Sequence, residues 1–285
     1  MQLETLIAEP WDDFELLDSG HGRKFERYGP YRFIRPEPQA LWAPALADWP
    51  ADGEFVGGLE EDGGGRWNLA PHVPPSWPLA RGPLKFHAAN TNFRHLAFFP
   101  DMAAHWDWMA ARLGPDTSVL NVFGYTGVGS LACAQAGAAV THVDASKKAV
   151  ASAQANQQLS GMGAAPIRWL TDDALKFMRR EVRRGRRYDG IILDPPKYGR
   201  GPDGEVWELY RDLPELVGCA RSLLDADSRY LVLTVYAIRL SAVAIAELVK
   251  AHFADLGGTI SAGEMTIREG GGRLLPTAIF VRWER

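Results

Sequence analysis

The pattern of apolar and polar positions changes character near residue 117. From there, short apolar runs alternate with longer stretches typical of helices. The predicted strands are 118–123, 139–143, 166–170, 188–193 and 229–235, and the predicted helices are 127–136, 146–160, 173–184, 209–224 and 242–253. Two extended runs, 259–267 and 275–283, end the chain. Repeated β–α units predict a mostly parallel, doubly wound sheet whose last two strands form an antiparallel hairpin.

The chain before this region follows a different pattern. Residues 1–100 contain 12 of the 19 prolines, and residues 1–110 contain seven of the ten tryptophans. Proline at this density prevents long helices. Short apolar runs at 31–35, 54–56, 66–69 and 84–87 predict strands, and a helix is predicted over 100–113. We therefore expect two domains, a small irregular β-rich unit over 1–98 and an α/β core over 99–285.

Composition and charge exclude several classes of protein. The 285 residues contain two cysteines, too few for a disulfide framework. There is neither an apolar run of 18 residues nor a secretory signal, so we expect a cytoplasmic protein without a membrane span. The net charge is −4, which argues against binding nucleic acid by bulk charge alone. Residues 1–100 carry a net −5 and the remainder a net +1.

A glycine-rich turn follows the first strand of the core. Residues 119–130 read VLNVFGYTGVGS, and Asp144 ends the next strand. Glycines allow a sharp turn and a close approach of backbone to ligand, and a carboxylate at that position can accept hydrogen bonds from ribose hydroxyls. The order G-x-x-G-x-G differs from the dinucleotide fingerprint and disfavours a dehydrogenase. A nucleoside cofactor without a pyrophosphate, S-adenosylmethionine, fits better.

Two further acids follow the third strand, in the sequence LTDDALKFM. Asp172 or Asp173 would face the amino group of an adenine. The alternative is that Asp173 only caps the helix that begins at Ala174. The residues alone leave both interpretations open.

A second motif, IILDPPKYGRG, ends the fourth strand of the core. Two prolines directly after Asp194 force the chain out of the sheet and hold the aspartate rigidly at its edge. Such an array of acceptors can hold the N–H groups of an exocyclic amine and turn its lone pair toward a methyl donor. Tyr198 could stack on a planar base. A simple strand-ending turn is the alternative.

These motifs together resemble the class I S-adenosylmethionine-dependent methyltransferases, with the closest similarity to the large-subunit rRNA methyltransferases that include the cytosine-C5 enzymes. The phrases VLNVFGYTG, VTHVDASKKAV, TDDALKFM and IILDPPKYGRG carry the resemblance, together with FRHLAFFPDMAAHWDWM before the core. It covers residues 85–285. The resemblance implies a Rossmann-like core with a mostly parallel seven-stranded sheet, an antiparallel C-terminal hairpin and S-adenosylmethionine as cofactor.

The resemblance also implies roles for residues. Phe123–Gly127 would line the methionyl group, Asp144 would hold the ribose and Asp173 would lie at the adenine. The complete predicted cofactor site is Asn121, Phe123, Gly124, Tyr125, Thr126, Gly127, Asp144, Ala145, Ser146, Asp172, Asp173 and Ala174. The predicted catalytic residues, which would face the acceptor, are Asp194, Pro195, Lys197 and Tyr198. No metal site is expected.

The sequence departs from the family in two respects: residues 1–100 are net acidic where many relatives carry a compact basic RNA-binding module, and the catalytic cysteine is missing. Cytosine-C5 members use a cysteine at the end of the strand that follows the DPP motif, but here residues 230–237 read YLVLTVYA. Cys133 and Cys219 lie on predicted helices, where we expect them to pack as small hydrophobic residues. Direct transfer to nitrogen or oxygen needs no protein nucleophile and is therefore the predicted mechanism.

Basic residues suggest where an RNA would bind. Arg94, His95 and Arg200 are the predicted substrate-binding residues, and Lys197 is also placed to contact a phosphate. The predicted helix 173–184 is the fourth in the chain, α4, and we name as the α4 cluster the seven basic residues on it and just after it: Lys176, Arg179, Arg180, Arg183, Arg184, Arg186 and Arg187. It resembles an RNA-binding patch. We expect it to be a solvated helix face instead, because it lies at the helix end away from the cofactor edge.

The predicted function is therefore methyl transfer from S-adenosylmethionine to a base of rRNA or of a ribosomal intermediate. Binding would be weak and would depend on RNA shape, with a shallow salt dependence. Two alternatives remain open: a methyltransferase for a protein or small molecule, which the acidic first 100 residues permit, and a cofactor-binding module without catalysis.

Overall fold

A computed structural model describes residues 2–57, 64–236 and 239–285. The strands are β1 (Leu3–Ala8), β2 (Phe14–Gly20), β3 (Arg23–Tyr28), β4 (Tyr31–Pro36), β5 (Gly53–Gly57), β6 (Gly65–Leu69), β7 (Ser76–Arg81), β8 (Leu84–Ala89), β9 (Ser118–Val122), β10 (Ala139–Asp144), β11 (Ile167–Thr171), β12 (Gly190–Leu193), β13 (Tyr198–Arg200), β14 (Val206–Glu208), β15 (Tyr230–Tyr236), β16 (Thr259–Arg268) and β17 (Leu274–Glu284). The helices are α1 (Ala103–Ala110), α2 (Val128–Gln135), α3 (Lys147–Leu159), α4 (Ala174–Arg183), α5 (Leu209–Ser222) and α6 (Ala242–Phe253), with a 3-10 turn at Pro100–Met102 before α1.

The largest sheet has the strand order β1-β16-β17-β15-β12-β9-β10-β11. Strands β15, β12, β9, β10 and β11 run parallel, whereas β17 pairs antiparallel with β15. This confirms the predicted α/β architecture with its antiparallel C-terminal strands. The sheet has one strand more than the predicted seven, because β1, which the sequence pattern did not reveal, lies beside β16 at its edge.

Helices α2 to α6 alternate with the parallel strands along the chain, and α5 shows a clear apolar face. In α5 that face is Leu209, Leu213, Leu216 and Val217, all buried. They belong to a continuous core with strand residues such as Ile191 and Leu231, which are also fully buried. Burial of each such side chain contributes about 1.5–3 kcal/mol, so this core holds the strands and their connecting turns in place.

The chain divides into two compact units. One comprises Met1–Thr5, His105–Glu264 and Ala278–Arg285, and we call it the core unit; the other comprises Leu6–Ala104 and Met265–Thr277, and we call it the N-terminal unit. The predicted domain boundary after residue 98 stays a prediction. The division found here differs from it because part of the C-terminal hairpin groups with the early strands.

The N-terminal unit contains a five-stranded sheet, β2-β3-β4-β5-β6, and the β7–β8 hairpin. Its tryptophans pack on other aromatic rings: Trp77 stacks on Phe33 with centroids 5.4 Å apart, and Trp67 contacts Phe33 and Phe55. Trp67 and Trp77 therefore contribute to the core of this unit. The predicted helix 100–113 is shorter, since it begins as the 3-10 turn and α1 ends at Ala110.

None of the helices that the structure describes is long and apolar enough to cross a membrane.

Candidate active site

Four neighbouring parallel strands bring the sequence motifs to one edge of the sheet. Strands β12, β9, β10 and β11 are adjacent, with Ile192 beside Asn121 and Asn121 beside His142 in register. The carboxyl ends of parallel strands share an edge, which is where such sheets bind ligands. The turns after these strands carry the glycine-rich sequence, Asp144, the Asp172–Asp173 pair and the DPP sequence. The structure thus brings the predicted residues of the core unit together.

The glycine-rich turn has an unusual backbone. Phe123 and Tyr125 adopt left-handed conformations, with φ of +58° and +48°, and Gly127 has φ of +81°. A β-carbon at Gly127 would lie 2.7 Å from that of Ala153, so glycine is required there by space as well as by φ. Left-handed conformations of non-glycine residues cost about 1–3 kcal/mol each and concentrate at functional sites. The surrounding structure therefore holds this turn in a defined, strained shape.

Asp144 fixes the turn from the neighbouring strand. One carboxylate oxygen accepts a hydrogen bond from the backbone N–H of Tyr125 at 2.8 Å, and the other accepts one from Ser146 N–H at 2.8 Å. Each oxygen retains a lone pair for a further donor. Burial raises the pKa of Asp144, although the two backbone N–H groups oppose the shift. A partly buried acceptor with spare lone pairs suits the hydroxyls of a ribose.

Asp172 and Asp173 both have structural partners. Asp173 accepts a hydrogen bond from Lys176 N–H at 2.8 Å and is the N-cap of α4. Asp172 accepts from Asp173 N–H at 2.9 Å and forms an ion pair with Arg180. Their predicted role at the adenine stays a prediction, since capping engages only one oxygen of Asp173.

The other predicted residues of this edge support the turns. Ser146 caps α3 through its hydroxyl, which accepts from Ala149 N–H at 3.2 Å. The carbonyl of Thr126 accepts from the buried Asn156 amide at 3.0 Å. Asn121 is buried in β9 and donates to Ser130 Oγ at 2.9 Å. Ala145 lies between Asp144 and Ser146, and Ala174 begins α4.

The DPP sequence leads into a short hairpin that is separate from the main sheet. Strands β13 and β14 pair antiparallel, with Gly199 opposite Trp207. The Trp207 indole N–H donates to the carbonyl of Pro196 at 2.7 Å, and its ring lies 5.0 Å from that of Phe123. Trp207 therefore connects the DPP turn to the glycine-rich turn. No local pattern in the sequence singles out this residue, because the turn that it contacts lies far away in the chain.

The opposite face of this hairpin is exposed. Because side chains alternate along a strand, Tyr198, Arg200 and Val206 point away from the buried Trp207. Tyr198 is 54% exposed, and the ammonium group of Lys197 lies 5.3 Å from its ring centroid. Within the described residues, neither Lys197 nor Arg200 forms an ion pair. We call Lys197, Tyr198, Arg200 and Val206 the acceptor face.

Arg94 and His95 lie in the N-terminal unit. Arg94 donates to the carbonyl of Pro36 at 3.2 Å, and its own carbonyl accepts from Arg35 at 2.9 Å. His95 lies between the rings of Phe93 and Phe99. Burial, together with the charges of Arg35 and Arg94, lowers the pKa of His95 to about 4, so it is neutral at neutral pH. Their role in substrate binding stays a prediction.

Neither cysteine is placed for nucleophilic catalysis. Cys133 is fully buried in α2, where burial raises the pKa of its thiol to about 12. Cys219 is half-buried on α5, where burial and Glu215 raise the pKa of its thiol. A thiolate is the reactive form, and both environments disfavour it. Strand β15 ends at Tyr236 without a cysteine, and Ala237 lies outside the described residues.

The α4 cluster is largely engaged with carboxylates. Arg179 forms a bidentate pair with Glu215 at 2.6 Å, and Lys176 contacts Asp203 and Glu205 at 2.8 Å. Arg180 pairs with Asp172, Arg184 with Glu181 and Arg187 with Asp225. Arg183 and Arg186 are the members for which the described residues supply no ion-pair partner. This agrees with the predicted solvated helix face.

Comparison with known proteins gives a consistent result. A sequence model of the S-adenosylmethionine-dependent methyltransferases matches residues 62–246. The crystal structure of an S-adenosylmethionine-dependent methyltransferase from Agrobacterium tumefaciens is 46% identical, covers 99% of this chain and 93% of its own, and superposes with a TM-score of 0.94. A methyltransferase structure from Streptococcus mutans, 15% identical over 95% of this chain and 75% of its own, has a TM-score of 0.74 and shows the same fold.

Among curated relatives, the ribosomal RNA large subunit methyltransferase I of Shewanella denitrificans is 38% identical over 91 residues. The matched segment is 32% of this chain and 23% of that relative. The same enzyme from Klebsiella pneumoniae is 36% identical over 29% of this chain and 21% of its own length. The match thus spans less than a quarter of the curated relatives.

Proposed function

The chain belongs to the S-adenosylmethionine-dependent methyltransferases, and we propose that it transfers the methyl group directly to a base of ribosomal RNA. The curated relatives named above act on large-subunit rRNA, which supports this substrate. The observation that carries the proposal is the Phe123–Trp207–Pro196 contact. This contact joins the glycine-rich turn, which would hold the cofactor, to the DPP turn, which would hold a base amine.

The residues at the glycine-rich turn fit S-adenosylmethionine. When bound, this cofactor supplies an electrophilic methyl group on a sulfonium. Asp144 would accept hydrogen bonds from the ribose hydroxyls, using the lone pairs that Tyr125 and Ser146 leave available. The strained 123–127 turn would line the methionyl group, and Asp172 or Asp173 would accept from the adenine amine. A fixed turn lowers the entropy lost on binding and so supports affinity.

The acceptor would be held by the DPP turn and the acceptor face. Two consecutive prolines restrict the backbone on both sides of the Asp194 carbonyl, so its carboxylate and nearby carbonyls form a rigid array. Asp194 would orient an amine N–H by hydrogen bonding, and Tyr198 would stack on a base. Lys197 and Arg200 would contact phosphates. Position and orientation are the main contributions of the protein to such a transfer.

Direct transfer to a nitrogen or oxygen follows from the cysteines. The whole chain contains two, and both are protonated in environments that raise their pKa values. Covalent activation of a cytosine ring at C5 therefore lacks its nucleophile. The curated relatives come from bacteria, in which rRNA is made and modified in the cytoplasm, and we propose the same compartment for this protein.

A methylation assay with competing acceptors tests this function. The purified protein is incubated with labelled S-adenosylmethionine and, separately, with naked rRNA, ribosomal subunits, total protein and a small-molecule extract. We expect label in rRNA or subunits, and nucleoside mass spectrometry should identify an N- or O-methylated nucleoside. Label only in protein or small molecules would overturn the RNA substrate, and a C5-methylcytosine product would overturn the direct mechanism.

A variant at Asp144 tests cofactor binding separately from the choice of acceptor. Asp144→Ala removes the proposed ribose acceptor, and hydrogen bonds to charged groups contribute about 1.5–3 kcal/mol, equivalent to about 10- to 150-fold in affinity. Calorimetry with S-adenosylhomocysteine should show a loss of this size. Unchanged affinity would reject the ribose assignment without bearing on the choice of acceptor.

A further inference from the structure

A buried histidine lies directly beneath the glycine-rich turn. His142 is on β10, two residues before Asp144, so both side chains project from the same side of the strand. Its ring is fully buried and contacts the indole of Trp169, with centroids 4.6 Å apart. A β-carbon at Gly124 would lie 2.6 Å from His142 Nδ1 and closer still to Cε1. The ring therefore fills the space that glycine leaves under the turn.

A chain of hydrogen bonds fixes the orientation of this ring. The Asn121 amide donates to Ser130 Oγ at 2.9 Å, and Ser130 Oγ lies 3.0 Å from His142 Nδ1. Because the hydroxyl has one hydrogen and already accepts from Asn121, that hydrogen is available for Nδ1. A neutral imidazole that accepts at Nδ1 carries its proton on Nε2.

The Nε2 atom is buried without a hydrogen-bond partner among the described residues. Such a donor is uncommon in a native core and calls for an explanation. Burial lowers the pKa of His142 to about 3, while its interaction with the backbone of Tyr125 opposes that shift. The ring is therefore neutral at neutral pH, and the backbone of Tyr125, in the strained turn, is the hydrogen-bonding group within its reach.

We propose that His142 is a positioning residue for S-adenosylmethionine, whose Nε2–H completes its hydrogen bond to the backbone of Tyr125 when the cofactor is bound. Tyr125 is already held from its N–H by Asp144, so a second bond would fix both sides of this residue. A donor that is satisfied only in the bound state contributes to affinity, because binding removes the penalty of leaving it unpaired. His142 touches no reacting atom and acts through the turn.

Two substitutions separate the volume of the ring from its hydrogen bonds. His142→Phe keeps a planar ring but removes both nitrogens, and His142→Gln keeps one donor and one acceptor. For His142→Phe we expect the Kd for S-adenosylhomocysteine to rise about 10- to 100-fold, with kcat within about threefold of the unaltered protein. His142→Gln should recover most of the affinity. Ser130→Ala should raise Kd less, and should add nothing to His142→Phe.

The control is Tyr230→Phe, which removes a buried hydroxyl at the opposite end of the parallel strands. It should lower the melting temperature without changing the Kd. If His142→Phe likewise leaves the Kd within twofold, His142 is merely structural and the proposal fails.

Nitrogen-15 NMR of the unaltered protein tests the same point where His142→Phe does not fold. The His142 ring should be the Nε2-protonated tautomer, and its proton resonance should move downfield on addition of S-adenosylhomocysteine. An Nδ1-protonated ring, or an unchanged resonance, would overturn the proposal. The inference concerns the cofactor alone, so failure of the RNA assay would leave these measurements unaffected.

Discussion

The α4 cluster and the acceptor face both looked in the sequence like places where RNA could bind, but their surroundings differ. In the cluster, seven basic residues occupy 12 positions, and most have carboxylate partners such as Glu215 and Asp172. On the acceptor face, Lys197 and Arg200 have no ion pair among the described residues and flank an exposed tyrosine. The number of charges therefore does not identify the region better suited to a phosphate.

The position of each region explains the difference. Helix α4 begins at the carboxyl edge of the sheet and runs for ten residues, about 15 Å, so its basic C-terminal turn lies near the opposite edge. There the arginines favour the helix dipole and tie α4 to α5 through Glu215. The acceptor face directly follows Asp194. The charges of the α4 cluster, which stabilise the fold, thus lie toward one edge of the sheet. Those of the acceptor face, which are available to a ligand, follow the opposite edge.

The largest expected effect comes from Asp194, because it should orient the reacting amine. Asp194→Ala should lower the transfer rate at saturating cofactor by about 10²- to 10⁴-fold, a range typical for loss of one positioned group in the transition state. The Kd for S-adenosylhomocysteine should stay within about threefold. Single-turnover transfer and calorimetry measure the two quantities. A variant that loses cofactor binding in parallel would show that Asp194 holds the cofactor region and not the acceptor.

The acceptor face should account for the next largest effect. Lys197→Ala combined with Arg200→Ala should weaken binding to the methylated RNA about 10-fold and reduce the slope of log affinity against log salt by about 1.5–2, as expected for two lost phosphate contacts. Filter binding over a salt series measures both. An unchanged slope would mean that these residues do not contact phosphates.

The sequence predicted the core well because its periodicity is strong. The α6 boundaries agree with the predicted 242–253, and the four motif turns lie at one edge because parallel strands require it. Strands β1, β2, β3, β7, β13 and β14 were missed. Charged residues occupy buried positions in β2 and β3 (Asp18 and Glu26), Pro78 interrupts β7, and β13 and β14 have only three residues each. The position of β1 beside β16 depends on pairing between the two ends of the chain, which local pattern does not encode.

Site residues could be predicted only where a recognisable sequence motif contains a side chain suited to the proposed chemistry. Asp144 ends one strand and Asp194 directly follows another, so their locations could be derived. Trp207 and His142 could not be, since their significance comes from contacts with Phe123 and Gly124 that exist only in the folded chain. For Asp173 the sequence allowed two roles, capping of α4 and binding of the adenine. The structure shows the capping hydrogen bond and does not exclude binding of the adenine.

The α4 cluster should have a smaller effect on RNA than the acceptor face. Arg183→Ala combined with Arg186→Ala removes the two members without ion-pair partners in the described chain, and so the two best able to bind RNA. We expect RNA affinity to change by less than about twofold, and the salt slope to stay within error of the unaltered protein. The same filter-binding series serves as the measurement. A loss as large as that of the Lys197/Arg200 variant would reverse the comparison and make the cluster an RNA-binding surface.

The smallest effect should come from the ion pairs within the cluster. The Arg179–Glu215 pair is about half exposed, so solvent screens it and its contribution to the free energy of unfolding is at most about 1 kcal/mol. Arg179→Ala should therefore lower the melting temperature by no more than about 3 °C. A double-mutant cycle with Glu215→Ala isolates the pair, and its coupling should shrink between about 50 mM and about 500 mM salt because ions screen exposed charges. A coupling energy above about 2 kcal/mol that persists in high salt would mean that the pair is effectively buried, and that α4 and α5 depend on it for packing.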